Sequence, residues 1–356
     1  MDTKLILPSR ISSLSKLDRF LKQPRFASSR FFLFVDENTY SHCLPLLISK
    51  VAALESAEFF EVPVGEEAKS IEVAAQLWGA LLESGADGNS VIVNLGGGCV
   101  SDLGGFVASA FKRGVPVVNV PTTLVGMVDA AIGGKTAVNL DHVKNAVGYF
   151  HPAAAVCVEP AFLDSLPDEE LVAGFFEMVK TVLLSDAASF EALAEAVGQE
   201  GRVSLDLIKR HLNDCVAFKQ AVVKTDPYEH SVRRMLNLGH TFGHGIESYL
   251  LECGTPVSHG VAVGIGMACA LYLSVKKVGL DASLLERYVA MLRKMVDVPP
   301  FSLRDTEGIL HYMRQDKKNR DGLILCVLIQ EPGLPVIDVS VDENEVRDAL
   351  LSLHKL

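Results

Sequence analysis

Phe31-Phe-Leu-Phe-Val35 runs straight into Asp36-Glu-Asn38, and Val91-Ile-Val-Asn-Leu95 runs straight into Gly96-Gly97-Gly98. Apolar runs this short, ending in a turn, fit strands buried on both faces of a parallel sheet and followed by loops that carry function. Val115-Pro-Val-Val-Asn-Val120, before Pro121-Thr122-Thr123, makes a third. Between the first two, residues 68–85 space Ala, Leu and Trp78 at helical intervals, which gives the strand-helix-strand alternation of a doubly wound sheet. From about residue 160 the character changes, and residues 169–184, 187–197, 204–224 and 259–278 predict long helices. The expected fold is an N-terminal α/β domain with a doubly wound, Rossmann-like parallel sheet over residues 1–155. A mostly α-helical domain over residues 156–356 follows it. Neither an internal repeat nor a low-complexity tract interrupts this order.

A chain of 356 residues is too long for one ordinary core, in keeping with two domains. The formal net charge of -11 argues against a nucleic-acid or anionic-membrane binder, while a local pocket of Lys and Arg can still take a small phosphorylated molecule. The seven cysteines show no Cys-x-x-Cys pairing and read as reduced thiols filling apolar space, none of them assigned to metal. The opening residues hold too short an apolar run for a secretory signal, and no uninterrupted apolar stretch is long enough to cross a bilayer. A cytoplasmic enzyme with no membrane partner is expected.

The densest chemistry lies in Arg233-Met-Leu-Asn237-Leu-Gly-His240-Thr-Phe-Gly-His244, with His259-Gly260 following. On a helix, His240 and His244 stand one turn apart on one face, where both reach a common ion or substrate. Upstream, Glu177 and Lys180 share a face three residues apart, and the carboxylate would complete a two-His, one-Glu zinc site with an open position. The competing reading is a half-buried histidine pair with satisfied nitrogens. Gly239 and Gly243 count against it, because glycine costs up to about 1 kcal/mol inside a helix and marks close approach by a ligand or a neighbouring element.

In the N-terminal half, Gly96-Gly97-Gly98-Cys-Val-Ser-Asp102-Leu-Gly104-Gly105 is a glycine turn leading from strand to helix, where free N–H groups and the helix dipole can hold a pyrophosphate. Asp36, Asn38, Thr122 and Thr123 follow other strands at the end where open sheets bind ligands, and Glu66 and Lys69 lie in a neighbouring loop. Asp129-Ala-Ala-Ile-Gly133-Gly134-Lys135-Thr136, with Lys144-Asn145 beyond, adds charged groups in what reads as a glycine-rich loop. It is not a triphosphate-binding loop, since residue 129 is Asp where that motif needs glycine.

Taken in order, these blocks resemble the 3-dehydroquinate synthase branch of the sugar phosphate cyclase family. The blocks are Pro-x-Gly-Glu-x-x-Lys, Gly-Gly-Gly-x-x-x-Asp, Arg113-Gly, Val-Pro-Thr-Thr-Leu, Val-Asp-x-x-x-Gly-Gly-Lys-Thr, Lys-Asn, Gly-Phe-x-Glu-x-x-Lys, Leu-Asn-x-Gly-His-x-x-Gly-His, His-Gly and Asp316-Lys317-Lys318-Asn319. The resemblance implies that Glu177, His240 and His259 bind a divalent metal, zinc or cobalt, and that His244 is a catalytic or substrate-contacting imidazole. It implies NAD at Asp36, Asn38, Glu66, Lys69, Gly97, Gly98, Asp102, Thr122, Thr123, Ser165 and Leu166, with Asp129 and Lys144 nearby. It further implies substrate contacts from Asp129, Lys135, Lys144, Asn145, Lys180, Lys219, Arg233 and Asn237, and phosphate contacts from Arg113 and Lys317 or Lys318. The implied reaction turns 3-deoxy-D-arabino-heptulosonate 7-phosphate into 3-dehydroquinate and phosphate, in the shikimate pathway. It proceeds by oxidation, phosphate elimination, reduction, ring opening and aldol closure, and leaves NAD unchanged.

A homodimer is the assembly the resemblance implies. Departures from the family pattern cluster near the site: Ala130, Ala137, Phe176 and Thr181 replace common residues. Val261 stands where an acidic residue usually follows His-Gly, which removes a carboxylate that could orient a metal-bound histidine. The alternatives are another cyclase, of the 2-deoxy-scyllo-inosose synthase type or acting on sedoheptulose 7-phosphate, and a metal-dependent dehydrogenase of the glycerol dehydrogenase type.

Overall fold

The computed structural model describes residues 8–141, 143–200, 203–315 and 323–354, so Lys317 and Lys318 lie outside the described residues. The chain divides into two compact units, Met1–Pro167 and Asp168–Leu356, later than the expected boundary after residue 155. The sheet sets the difference, because the strand Ala155–Cys157 is hydrogen-bonded into it.

Unit 1 contains β1 (Ser9–Ile11), α1 (Leu14–Leu21), β2 (Phe31–Asp36), α2 (Glu37–His42), α3 (Leu44–Lys50), β3 (Glu58–Val62), α4 (Ile71–Glu83), β4 (Val91–Gly96), α5 (Gly98–Ala110), β5 (Val117–Pro121), β6 (Lys135–Leu140), β7 (Val143–Phe150) and β8 (Ala155–Cys157). Six strands form a parallel sheet in the order β1-β8-β5-β4-β2-β3. Every residue of β4 and β5 is buried, as expected of central strands covered on both faces. From β2 the chain moves outward to β3, then returns past β2 to β4 and continues the other way to β5. The strand order therefore reverses between β2 and β4, the position where open α/β sheets bind ligands at the strands' carboxyl ends.

The described residues between 129 and 145, expected as a loop, form regular structure. A π-helical turn over Gly126–Ala130 carries Asp129, and β6 and β7 pair as an antiparallel hairpin with Lys135 opposite Phe150.

Unit 2 contains α6 (Asp168–Ser185), α7 (Ala187–Glu200), α8 (Leu205–Thr225), α9 (His240–Glu252), α10 (His259–Lys277), α11 (Ala282–Met295), α12 (Leu303–Arg314), β9 (Ile324–Glu331), β10 (Leu334–Val341) and α13 (Glu343–Ser352). The β9-β10 hairpin is an addition to the mostly helical expectation. Acidic Asp168, Glu169 and Glu170 open α6 at the positive end of its dipole, and Ser204 caps α8 by accepting from the Leu207 amide. By length and hydropathy α10 could cross a bilayer, but 72% of its apolar window is buried within the protein, as befits a core helix.

Candidate active site

In unit 1 the reversal point between β2 and β4 is lined by groups singled out from the sequence. Asp36 ends β2 and caps α2, accepting the Thr39 amide at 2.8 Å, and Asn38 is exposed on that helix. Gly97 is the N-cap of α5 and Gly98 its first residue. A Cβ on Gly97 would stand 2.9 Å from the Thr123 methyl, so the bare backbone lets the Thr122-Thr123 turn approach the amides at the start of α5. Ser165 lies beside the Cys43 thiol, which burial and neighbouring Asp36 push up to about 11, and its own hydroxyl donates to the Phe162 carbonyl at 3.3 Å. Leu166 follows it, half-buried.

Lys69 is buried and organises a polar network. Its Nζ donates to Asp102 Oδ2 at 2.8 Å and to Asn145 Oδ1 at 2.6 Å. Asn139 links the hairpin to it, donating to Glu66 Oε2 at 2.9 Å and accepting the Asn145 amide at 2.9 Å. Burial works against the charge on Lys69, yet Asp102 and Glu66 beside it hold its pKa above the ordinary lysine value. Burial likewise pushes Glu66 up, and Lys69 and the Asn139 hydrogen bond more than offset it, holding the carboxyl low. Glu66, Lys69, Asp102 and Asn145 are thus one cluster. Lys135 and Lys144 are exposed on the hairpin strands. Arg113 stands apart, exposed just past the far end of α5 from Gly97 and Gly98.

In unit 2 the site depends on how closely three helices pack. A Cβ on Gly260 would fall 2.0 Å from the Ala173 carbonyl oxygen, and one on Gly264 2.7 Å from the Phe176 ring, so only glycine lets α10 lie against α6. Gly239, at φ 78, is the left-handed N-cap of α9, where a Cβ would meet Met267 of α10 at 2.5 Å. The glycines flanking the histidines therefore admit a neighbouring helix. Gly239 also ends the preceding 3-10 turn, Val232–Asn237, so Arg233 and Asn237 do not share a helix with His240 and His244.

This packing brings Glu177 of α6, His240 of α9 and His259 of α10 together. Glu177 is wholly buried, with Oε1 at 3.7 Å from His240 Nε2 and 3.5 Å from His259 Nε2. Both carboxylate oxygens lack a hydrogen-bond partner; Oε2 lies 2.6 Å from Lys180 Nζ as an ion pair without hydrogen-bond alignment. Tetrahedral zinc, with ligands about 2.0–2.1 Å away, spaces those ligands about 3.3 Å apart. The buried oxygen without a donor and the two imidazoles thus fit a divalent ion better than they fit one another.

His244 joins the cluster: ligand nitrogens of His240, His244 and His259 lie within 4.8 Å of one another, and the His244 ring centre is 5.4 Å from that of His240. The ring nitrogens remote from Glu177 are also engaged. His240 Nδ1 lies 3.2 Å from the Leu238 carbonyl oxygen and His259 Nδ1 3.0 Å from Glu247 Oε2. With Nδ1–H donating in each case, both Nε2 lone pairs face Glu177.

Lys180, paired with Glu177, is buried, and so are the cations Lys219 and Arg233. They stand on α6, α8 and the Val232–Asn237 turn, which pack against one another. Asp226, past the end of α8, fixes the turn by accepting backbone amides of His230 at 2.9 Å, Ser231 at 2.7 Å and Arg233 at 3.0 Å. Glu229 accepts from Asn237 Nδ2 at 2.7 Å. Asp226, Glu229 and Glu247 were not singled out from the sequence. Glu247 carried a signal, since it falls on the His240-His244 face three residues after His244.

The comparisons with known proteins give the family and the fold. Residues 59–173 match the model of the 3-dehydroquinate synthase N-terminal domain and residues 174–319 that of its C-terminal domain. The 3-dehydroquinate synthase of Parabacteroides distasonis is 34% identical over 336 residues, covering 94% of each chain. Among solved structures, 2-epi-5-epi-valiolone synthase from Streptomyces hygroscopicus subsp. jinggangensis 5008, with NAD+ and Zn2+ bound, aligns with a TM-score of 0.83 at 28% identity, covering 100% of this chain and 99% of that one. A 2-deoxy-scyllo-inosose synthase shares the fold, with a TM-score of 0.82 at 23% identity over 97% of this chain and 96% of the other. The chain belongs to the 3-dehydroquinate synthase family.

Proposed function

We propose that this protein converts 3-deoxy-D-arabino-heptulosonate 7-phosphate into 3-dehydroquinate and phosphate, as a lyase of the shikimate pathway that uses NAD and a divalent metal. The observation that carries the reading is the convergence of the buried Glu177 Oε1 on the Nε2 atoms of His240 and His259. Those three residues would hold zinc, or cobalt in its place. When bound, the metal supplies Lewis-acid polarisation of the substrate's alcohol and ketone oxygens, and NAD takes up and returns a hydride.

The chain's own residues do the rest. Lys180 sets a cation 2.6 Å from the second oxygen of Glu177 and offsets part of the charge of a wholly buried carboxylate. His244, beside His240, holds and moves a proton at the reacting oxygens. Lys219, Arg233 and Asn237 take the substrate carboxylate and hydroxyls by charge-assisted hydrogen bonds, which a neutral sugar phosphate would not repay. Asp129, Lys135, Lys144 and Asn145 serve as further substrate contacts. Asp36, Asn38, Glu66, Lys69, Gly97, Gly98, Asp102, Thr122, Thr123, Ser165 and Leu166 seat the dinucleotide. The same reading makes the protein a cytoplasmic homodimer, which light scattering on the purified protein tests.

Purified protein is incubated with NAD, zinc and the heptulosonate phosphate, and phosphate and NADH are both followed. Phosphate release without NADH accumulation supports the assignment. Turnover of glucose 6-phosphate or sedoheptulose 7-phosphate instead would reassign the substrate, and steady NADH formation would indicate a dehydrogenase.

A further inference from the structure

Glu247 has no part in the reaction outlined above, yet it occupies a distinctive place. It lies on α9, the helix that starts at His240, and its Oε2 stands 3.0 Å from His259 Nδ1 on α10. Its side chain is 14% exposed and that of His259 is 38% exposed, so the contact is partly shielded and involves the most open of the three ligand positions. The two ligating histidines are supported differently. His240 meets a backbone carbonyl, Leu238 O, whereas His259 meets a carboxylate. Val261, next to Gly260, has no charge to offer, so a carboxylate for His259 comes from another helix.

We infer that Glu247 is the positioning residue for the metal site: it accepts the His259 Nδ1 proton, turns the Nε2 lone pair toward Glu177, and raises the affinity of the site for a divalent cation. The inference rests on the proposed metal-binding reading of Glu177, His240 and His259. A histidine whose outer nitrogen donates to a carboxylate is held in one tautomer and one ring orientation, and its other nitrogen becomes the better electron-pair donor. An exposed imidazole without such a partner would sample both ring flips and both tautomers. One arrangement in four would then present the nitrogen that ligation needs. His240 is buried and needs less help, which is why the carboxylate falls on His259.

The test measures zinc affinity of the full-length protein by competition with a chromophoric chelator, in wild type, Glu247→Gln, Glu247→Ala and Glu177→Gln. NAD affinity and the melting temperature of the metal-free protein serve as folding controls. Removing a partner of this kind typically weakens metal binding about 10–100-fold. Glu247→Gln, which keeps the size and an acceptor oxygen, is expected at the lower end and Glu247→Ala at the upper end, with both controls unchanged. The visible spectrum of the cobalt-loaded protein should change in both variants, because its intensity reports ligand geometry. Zinc affinities within about twofold of wild type, beside a wild type that binds one zinc and a Glu177→Gln variant that does not, would overturn the role of Glu247 alone. A wild type that binds no zinc, or a Glu177→Gln variant that binds it equally well, would overturn the metal reading beneath it.

Discussion

Replacing Asp226 by Asn should loosen the turn that carries Arg233 without altering any side chain proposed to meet metal or substrate. The carboxylate accepts three backbone amides, Oδ1 from His230 and Oδ2 from Ser231 and Arg233. An Asn side chain has one acceptor, so with its oxygen turned toward Ser231 and Arg233 the bond to His230 is lost, an N–H group faces that donor, and the two retained bonds lose their charge. A hydrogen bond to a charged group contributes about 1.5–3 kcal/mol and a neutral one about 0.5–1.5, so losing one and neutralising two costs about 3–6 kcal/mol before water replaces part of the loss. The Ser231 end is only partly buried, so about 2–4 kcal/mol remains, equivalent to about 30–1000-fold in the opening of the turn. Amide exchange of residues 230–233 should accelerate within that range, and kcat/KM for phosphate release should fall at least tenfold. Exchange within about threefold of wild type would refute the view that Asp226 holds the turn.

The same carboxylate fixes the sign of a pH effect. Burial works to raise its pKa, but the three amides outweigh it and hold the folded value below the ordinary 3.8. Its contribution is thus fully present above pH 3.8 and is lost as pH falls through the lower folded value. Exchange protection of the turn should persist to that point in wild type and show no such acid transition in Asp226→Asn.

Three further outcomes are expected. Lys69→Met removes the partner of both Asp102 and Asn145; it should destabilise unit 1 by about 2–3 kcal/mol in urea titrations and weaken NAD at least tenfold by fluorescence titration. Gly264→Ala puts a methyl 2.7 Å from the Phe176 ring and should cost about 1–3 kcal/mol by overpacking; in a Phe176→Ala background the same change should cost much less, as a double-mutant cycle would measure. Removing the metal with a chelator should abolish phosphate release and lower the melting temperature, and readdition at 100 times Kd should restore about 2.7 kcal/mol of stability.

Much of this was legible in the sequence because it is local. The strands β2, β4 and β5 announced themselves as short apolar runs, the helices from 168 to 277 as long periodic segments, and the His240-His244 pair by helical spacing. What was not legible depends on the approach of elements distant in sequence. Gly239 looked like a helix-interior glycine but is a left-handed cap, since propensity alone does not tell a break from a continuation. The Glu247-His259 contact needs α9 and α10 side by side, which Gly243 and Gly266 permit and no period encodes. The domain division moved to Pro167 because β8 joins the sheet through pairings with β1 and β5 that only the tertiary structure shows. The stretch from Asp129 to Asn145 reads as loop because its glycines resemble turn signals, whereas Lys135–Leu140 pairs with Val143–Phe150 as β6 and β7.

A crystal structure of the zinc-loaded protein, with the ion located by its anomalous scattering, bears most directly on the grouping of Glu177, His240 and His259. The expected result is one ion about 2.0–2.2 Å from Glu177 Oε1, His240 Nε2 and His259 Nε2, with a fourth position left to solvent or substrate. An ion bound elsewhere, or one ligated without Glu177, would contradict it.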